Sequence, residues 1–261
     1  MLRASIARKG ACFVVANYRH DYNIAVNTNL DDRVAGDWQS IDWQAVRDLP
    51  GVLPTQQRRS QETTVALLEA AAVMLSERSL DELSIEDLCK RVGVTIGAFY
   101  GRFESKDAFF SALMSLAARR ALAAVRAAVA DEDHLGTGLE HACRRVVEVA
   151  VDVVRRNVGV VRAASQYESI YPERWGTIRA TGGAMIELAT PLLLARMGRG
   201  RIPAKTRSIG FAFQMMFGTL LNAVQHKPKL VPLDEPEMVD RLALAMFLQL
   251  QHEARADRPR K

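Results

Sequence analysis

The chain has only three cysteines in 261 residues, Cys12, Cys89 and Cys143, all far apart. Their spacing builds neither a metal-ligand set nor an even disulfide framework, so a reducing compartment is the plain reading. No apolar run approaches the ~20 residues that a membrane-spanning helix needs. The start, MLRASIARKGACFVVA, sets Arg and Lys ahead of a short apolar stretch. That stretch is shorter than a signal core and runs into Tyr18, Arg19, His20 and Asp21 with no clear cleavage site. The chain therefore reads as cytoplasmic, with no membrane partner. Aromatic residues make up 7%, and beside abundant Ala that scarcity favours helices over sheets. Catalytic signatures are missing too: no Gly-x-Ser-x-Gly, no phosphate loop ending in Lys-Ser/Thr, no His-Glu-x-x-His. RNVGVV and GTGLE hold glycines at the wrong spacing. His141 sits among Arg and Glu, and His226 ends a helix where a cation suits the dipole; neither has partners at metal spacing. Nothing asks for a metal, a cofactor or an enzyme.

What is present is a large apolar fraction, 49%, with a net charge of +5 and a pI near 9.3. The mild basic balance permits a nucleic-acid partner without establishing one. Residues 1–58 differ from the rest. CFVVANYRHDYNIAVNTNLDD alternates β-branched and aromatic residues around a polar centre, as a hairpin would. DLPGVLPTQQRRS carries the Pro and Gly punctuation of a linker. This N-terminal extension is read as a small hairpin, a disordered arm, or sequence outside the working protein. If it is disordered, a chain starting near Pro54 binds its partner as well as the full chain. If it orders there, Arg58 and Arg59 form a basic arm ahead of the first helix.

From Thr63 the pattern is helical. In TTVALLEAAAVMLSER, Thr63 is placed as N-cap, and Leu67, Leu68, Ala71, Met74 and Leu75 form one stripe. In LSIEDLCKRVG, Ser84 with Asp87 fits a capping box, Ile85, Leu88 and Val92 form the inner stripe, and Gly93 ends the helix. Thr95 caps a short helix from Ile96 to Gly101, and Ser105 caps a long one. Two short helices about a tight Gly-containing turn make a helix-turn-helix, whose second helix enters a DNA major groove. Gly97 and Ala98 permit close approach to a duplex. Thr95, Tyr100 and Arg102 supply donors for phosphates, and Lys106 adds a cation at the start of the long helix. Phe99 and Phe103 face inward and set the angle of presentation.

From Thr63 to about Leu113 the sequence resembles, without a gap, the DNA-binding domain of the tetracycline-repressor (TetR) family. Gly93-Val94-Thr95, Gly97, Phe99-Tyr100, Phe103 and Lys106 fall on that family's signature. Ser79 stands where the family commonly has Gly, Ile96 and Ala98 where many relatives are polar or basic, and Arg102 where His or Tyr is usual. Apolar contacts to thymine methyls and readout of shape then outweigh bidentate base contacts. The resemblance implies an all-α fold: a three-helix DNA-binding domain over 59–112, a helical bundle for dimerisation and effector binding over 113–252, and a polar tail over 253–261. It implies double-stranded DNA contacts from Thr63, Ser84, Thr95, Ile96, Gly97, Ala98, Tyr100, Arg102 and Lys106. It also implies a homodimeric repressor released from a palindromic operator by a small apolar effector. The rival readings are an effector-free architectural DNA binder, and an enzyme or carrier with a vestigial head.

In the second domain, GLEHACRRVVEVAVDVVRRN places Cys143, Val146, Val147, Ala150 and Val154 on one face. The helix in PERWGTIRATGGAMIELATPLLLARMG contains Pro191, Gly182 and Gly183, so a kink is expected. AKTRSIGFAFQMMFGTLLNAVQH has one apolar face of Ile209, Phe213, Met216, Leu220 and Val224 and another of Phe211, Met215, Gly218 and Leu221. Two apolar faces need two partners, the core and a second subunit. With EPEMVDRLALAMFLQLQ, which follows Pro232 and Pro236, this helix is the expected dimer seam. Phe110, Met114, Trp175, Met185, Phe213 and Phe217 are large, adaptable residues suited to lining an effector pocket.

Overall fold

A computed structural model describes Trp38 and residues 41–131, 138–170, 176–226 and 228–256. The expected hairpin over 12–32 lies outside these residues. Among the described residues the fold is all-helical, with a single isolated β-bridge. The helices are α1 (Arg58–Glu77), α2 (Ile85–Val92), α3 (Ile96–Tyr100), α4 (Lys106–Ala130), α5 (Leu139–Arg156), α6 (Val158–Ile170), α7 (Gly176–Arg196), α8 (Ile202–His226) and α9 (Pro236–Ala256). The chain divides into two compact units. The head ends at Ala124 and takes in Arg156–Thr177; the second unit holds Val125–Arg155 and continues from Ile178.

In the head, the expected stripe of α1 is buried in full: Leu67, Leu68, Ala71, Met74 and Leu75. The helix nevertheless starts six residues earlier than expected. Gln57 is its N-cap and gives no side-chain bond. Thr63 is an interior residue whose hydroxyl donates to the Arg59 carbonyl, as that of Thr64 does to Ser60. Such back-bonding lets Thr sit inside a helix, and this displaces the expected N-cap. Arg58 and Arg59 therefore form the first turn of α1 and not an arm before it. Helix α6 packs on α1 at backbone distance. A Cβ on Gly159 would lie 2.4 Å from the Leu75 carbonyl oxygen and 2.5 Å from the Ser76 nitrogen. Beside this crossing, Arg162 Nη2 donates to the Leu75 and Ser76 carbonyls at 2.8 and 3.2 Å, meeting free acceptors at the end of α1.

The stretch expected to be a linker is instead a strap built into the head. Trp38, Ala45, Val46 and Leu49 are buried. Asp42 caps a 3-10 turn at Trp43–Ala45, and the Ile41 N–H donates to Glu69 of α1. From α4, Arg120 lies 4.8 Å over the Trp38 ring, and Arg119 donates to the Ala45 and Asp48 carbonyls. Burial holds the Arg119 guanidinium below its ordinary value. Gly51 (φ +86°) passes so close to α4 that a Cβ would meet the Ala108 oxygen at 2.5 Å. Beyond it, the Leu53 N–H donates to the Arg102 carbonyl at 2.8 Å, and Val52 bridges to Phe103. The Pro and Gly here turn a docked segment; they do not free a flexible one.

Helix α4 corrects the expectation about membrane-length apolar runs, since by length and composition it could cross a bilayer. Its apolar stretch is 67% buried inside the protein, which marks it as a core helix. Three other details follow the sequence closely. Gly93 takes a left-handed φ of +77° at the end of α2, and Thr95 and Ser105 cap their helices through side-chain oxygens. Of the inner stripe of α2, only Leu88 is fully buried; Ile85 and Val92 are half-buried.

Helix α7, which belongs to the second unit from Ile178 on, runs unbroken from Gly176 to Arg196 with Pro191 inside it. Helices α8 and α9 pack along each other, and Gln249 donates to Ser208 between them. All five residues of the first apolar face of α8 are buried, whereas Phe211 on the other face is 49% exposed. Helix α5 is tied to α9 by Arg144 and Asp240 at 2.8 Å, and to its approach by Arg155, which donates to the Leu233 and Glu235 carbonyls. Cys143 is fully buried, and that burial, with Glu140 nearby, pushes its thiol up to about 12. Since folding raises this value from an ordinary 9.0, the contribution to stability is whole below pH 9 and fades as pH climbs towards 12. With Cys89 also buried, a Cys12→Ser variant is expected to show no fast thiol in an Ellman titration at pH 8 until denaturant is added. A thiol titrating within seconds under native conditions would contradict this burial.

Candidate nucleic-acid interface

The turn between α2 and α3 is set by a few residues. In its left-handed conformation, Gly93 sends its N–H back to the Cys89 and Lys90 carbonyls, and the Val94 N–H follows to Cys89. Thr95 Oγ1 then accepts the Ala98 N–H at 3.1 Å, and α3 runs for five residues. Phe99 and Phe103 are wholly buried, as expected. With Phe109 of α4 they form a cluster whose ring centroids are 4.8 to 5.3 Å apart. Edge and tilted contacts at such distances fix ring orientation, so the angle of α3 is fixed with it. The opposite face of α3 is open. Ile96 is 47% and Tyr100 49% exposed, four residues and one turn apart, with exposed Gly97 between them. Ala98 is half-buried.

The capping residues keep a donor to spare. Ser84 and Thr95 accept backbone N–H bonds through their oxygens, so each O–H remains available to a phosphate. Thr63 differs, because its O–H is already given to Arg59. Arg102, also expected among the phosphate donors, makes bonds inward. Its Nε donates to the Ser60 carbonyl at 3.2 Å and its Nη1 to the Ala98 carbonyl. Half-buried, with burial drawing its guanidinium below the ordinary value, Arg102 clamps the end of α3 to the first turn of α1. Lys106 Nζ donates to the Leu83 carbonyl at 2.8 Å, just ahead of the α2 cap. An ammonium has three donors, so this bond orients Lys106 without using up its capacity.

Residues 67–113, which span these elements, match the sequence profile of the family described as bacterial regulatory proteins, tetR family. Over these residues the chain is similar to that family. Over 47 residues it is 43% identical to an uncharacterized HTH-type transcriptional regulator, YvdT, of Bacillus subtilis (strain 168). That stretch is 18% of this chain and 24% of the relative, so the likeness spans about a quarter of the relative's length. Fold similarity reaches further. A tetR-family transcriptional regulator from Streptomyces coelicolor superposes over 76% of this chain and 90% of its own, with TM-score 0.54 and 18% identity. A crystal structure assigned to the same family, from Mesorhizobium loti MAFF303099, covers 77% of this chain and 98% of its own, with TM-score 0.59 and 12% identity. At such identities these two structures speak for the fold alone. The matched profile begins at residue 67, so the strap lies wholly outside it.

Among the described residues, no three His, Cys, Asp or Glu side chains gather as a metal site requires. The second unit does contain a cavity, of about 20 Å³, between the end of α4 and helices α5, α7 and α8. Of the expected pocket residues, Met185 and Phe213 line it. Phe110 and Met114 are instead buried in the head, where Phe110 packs on Tyr167 at 5.4 Å. Phe217 packs at a tilt on Phe213 at 5.6 Å and lies over Gly182, and Trp175 lies outside the described residues. The cavity corresponds to about one water and falls well short of the ~300 Å³ of a small-molecule pocket. Sequence reasoning missed Arg145, which also lines it. The charge pattern of α5 gave no sign that one of its arginines borders a cavity.

Proposed function

We propose that the protein is a DNA-binding transcriptional regulator: a homodimeric repressor that acts in the cytoplasm on a palindromic operator and is released by a small effector. The observation that carries this reading is the open face of α3, with Ile96, Gly97 and Tyr100 outward and held by the buried Phe99–Phe103–Phe109 cluster. Ile96 supplies an apolar contact for a thymine methyl. Tyr100, with the free O–H groups of Ser84 and Thr95, and Lys106, supply donors to phosphates. The DNA-binding domain is assigned to 59–112 and the dimerisation and effector domain to 113–252. Two copies whose recognition helices lie about one duplex turn apart, ~34–36 Å, match a palindrome. The register set by Gln249 and Ser208 puts exposed Phe211 level with exposed Leu244 and Leu248, which favours a second subunit on α8 and α9. Helix α4 runs from Lys106 in the head to Val125, Ala128 and Val129 at the cavity, so its tilt is the natural lever. Release then follows if the effector binds the DNA-incompetent arrangement better.

Footprinting on the DNA upstream of its own gene, at two salt concentrations, tests the reading. Protection of a short palindrome that weakens with salt is expected. Tyr100→Ala is expected to weaken binding roughly 10-fold, an interface contact of about 1.4 kcal/mol, at unchanged melting temperature. Full affinity in a gel-shift titration would remove Tyr100 from the interface. Lys106→Ala is expected to lose affinity and also some stability, because it frees the Leu83 carbonyl. The smallness of the cavity favours a second reading, an architectural DNA binder without an effector. The two part company when small molecules are titrated against the footprint.

A further inference from the structure

The DNA-binding reading leaves open how α3 tells one sequence from another, because its reading face has little that can adapt. Ile96 and Gly97 are exposed and Ala98 half-buried, and none of the three has a side-chain donor or acceptor. A long polar side chain can follow a base that moves. An apolar one works only in contact, and a gap of ~0.5–1 Å already forfeits a quarter to a half of the attraction. The selectivity of such a helix therefore lies in how firmly its depth and tilt are held.

A helix of five residues does not hold itself. The buried phenylalanines fix the inner face of α3, and the segment 51–60 closes around its C-terminal end. The Leu53 N–H donates to the Arg102 carbonyl at 2.8 Å, and Val52 bridges to Phe103. Arg102 then sends Nε to the Ser60 carbonyl at 3.2 Å and Nη1 to the Ala98 carbonyl. The same segment thus grips the helix end twice, once through its own backbone and once through the arginine. Its start is pinned in turn by the close approach of Gly51 to Ala108.

We propose that this collar, residues 51–60, is the specificity-determining element of the head. It holds α3 where Ile96 meets a thymine methyl, and loosening it relaxes the choice of sequence while the grip on phosphates stays. This rests on the DNA-binding reading above and deepens it. Phosphate contacts raise affinity for every sequence alike, so they tolerate a small shift of α3 that a methyl contact does not.

The test uses the full chain and three probes: a duplex it selects from a random pool, an unselected duplex of equal length, and the selected duplex with deoxyuridine in place of thymidine, which deletes only the C5 methyls. The wild type is expected to prefer thymidine to deoxyuridine by roughly 4-fold for each methyl it touches. Leu53→Pro removes the N–H given to Arg102. Position 53 already precedes Pro54, so its backbone is biased to the extended range that proline takes. Gly51→Ala lifts the collar from its other end, and Leu53→Ala, which keeps the N–H, is the control. Leu53→Pro and Gly51→Ala are each expected to lower the preference for the selected over the unselected duplex roughly 10-fold and to erase the preference for thymidine. Both should bind the unselected duplex as the wild type does, with the same salt slope. Leu53→Ala should keep both preferences. A wild type indifferent to the methyls, a thymidine preference that survives both collar variants, or an equal loss on both duplexes in both variants would overturn the inference and leave the regulator reading standing. If the full chain selects no sequence from the pool, that reading falls, and the inference with it.

Discussion

A chain cut to begin at Pro54 is expected to lose both stability and DNA affinity. The cut removes Trp38, Ala45, Val46 and Leu49 from the head, where all are buried. Full burial of a Val or Leu side chain contributes about 1.5–3 kcal/mol, so with the ordering entropy of the segment set against it the net loss is on the order of 3 kcal/mol. Arg119, Arg120 and Glu69 lose the strap partners described above. Two contacts at the end of the recognition helix also go, Leu53 to the Arg102 carbonyl and Val52 to Phe103. We expect DNA affinity to fall at least about 10-fold, a loss of roughly 1.4 kcal/mol, with an unchanged salt slope, because no phosphate contact is removed. Gly51→Ala is the point-substitution form of the experiment. Its Cβ meets the Ala108 oxygen at 2.5 Å and its φ of +86° disfavours any side chain, so the strap must lift. Denaturant melts and gel-shift titrations on both variants decide the matter. A truncated chain that melts and binds like the full one would mean that the strap is mere decoration.

Gly159→Val is expected to be the most damaging single substitution in the helices of the head. Even the first added carbon would stand 2.4 Å from the Leu75 carbonyl, and backbone cannot swing aside as a side chain can. Forced overpacking of this kind costs about 3 kcal/mol or more, and melting is expected to drop by roughly 6–12 °C. Separation of α6 from α1 would also pull Arg162 off the Leu75 and Ser76 carbonyls, so the position of α1, and with it the Arg102 clamp to Ser60, would change. DNA affinity should therefore fall together with the melting temperature. Gly183→Ala in α7 is the control. Nothing lies within 4 Å of its added carbon, and Gly to Ala inside a helix stabilises by about 0.5–1 kcal/mol. Calorimetric melts of the two variants should shift in opposite directions. Equal melts would show that the α1–α6 crossing has room to spare.

Local chemistry accounts for what could be read ahead of the fold. Gly93 is at a left-handed helix end, Thr95 and Ser105 accept the N–H three residues on, and Leu67, Leu68, Ala71, Met74 and Leu75 recur on one face. Each depends on neighbours within one or two turns, so the sequence by itself determined the helix-turn-helix and which way Phe99 and Phe103 point. Tertiary structure decided the rest, because long-range partners reassign side chains whose local setting is ambiguous. Arg102 looks like a free surface cation, yet the Ser60 carbonyl, 42 residues away, anchors it. The 48–53 stretch looks like a linker until Leu49 is buried and Leu53 reaches Arg102. Phe110 and Met114 have the character of pocket residues, yet they pack within the head, while Arg145, one of several arginines on α5, borders a cavity. An arginine's reach, a glycine's close approach and the emptiness of a cavity are properties of segments distant in the chain brought together, and no local pattern encodes them.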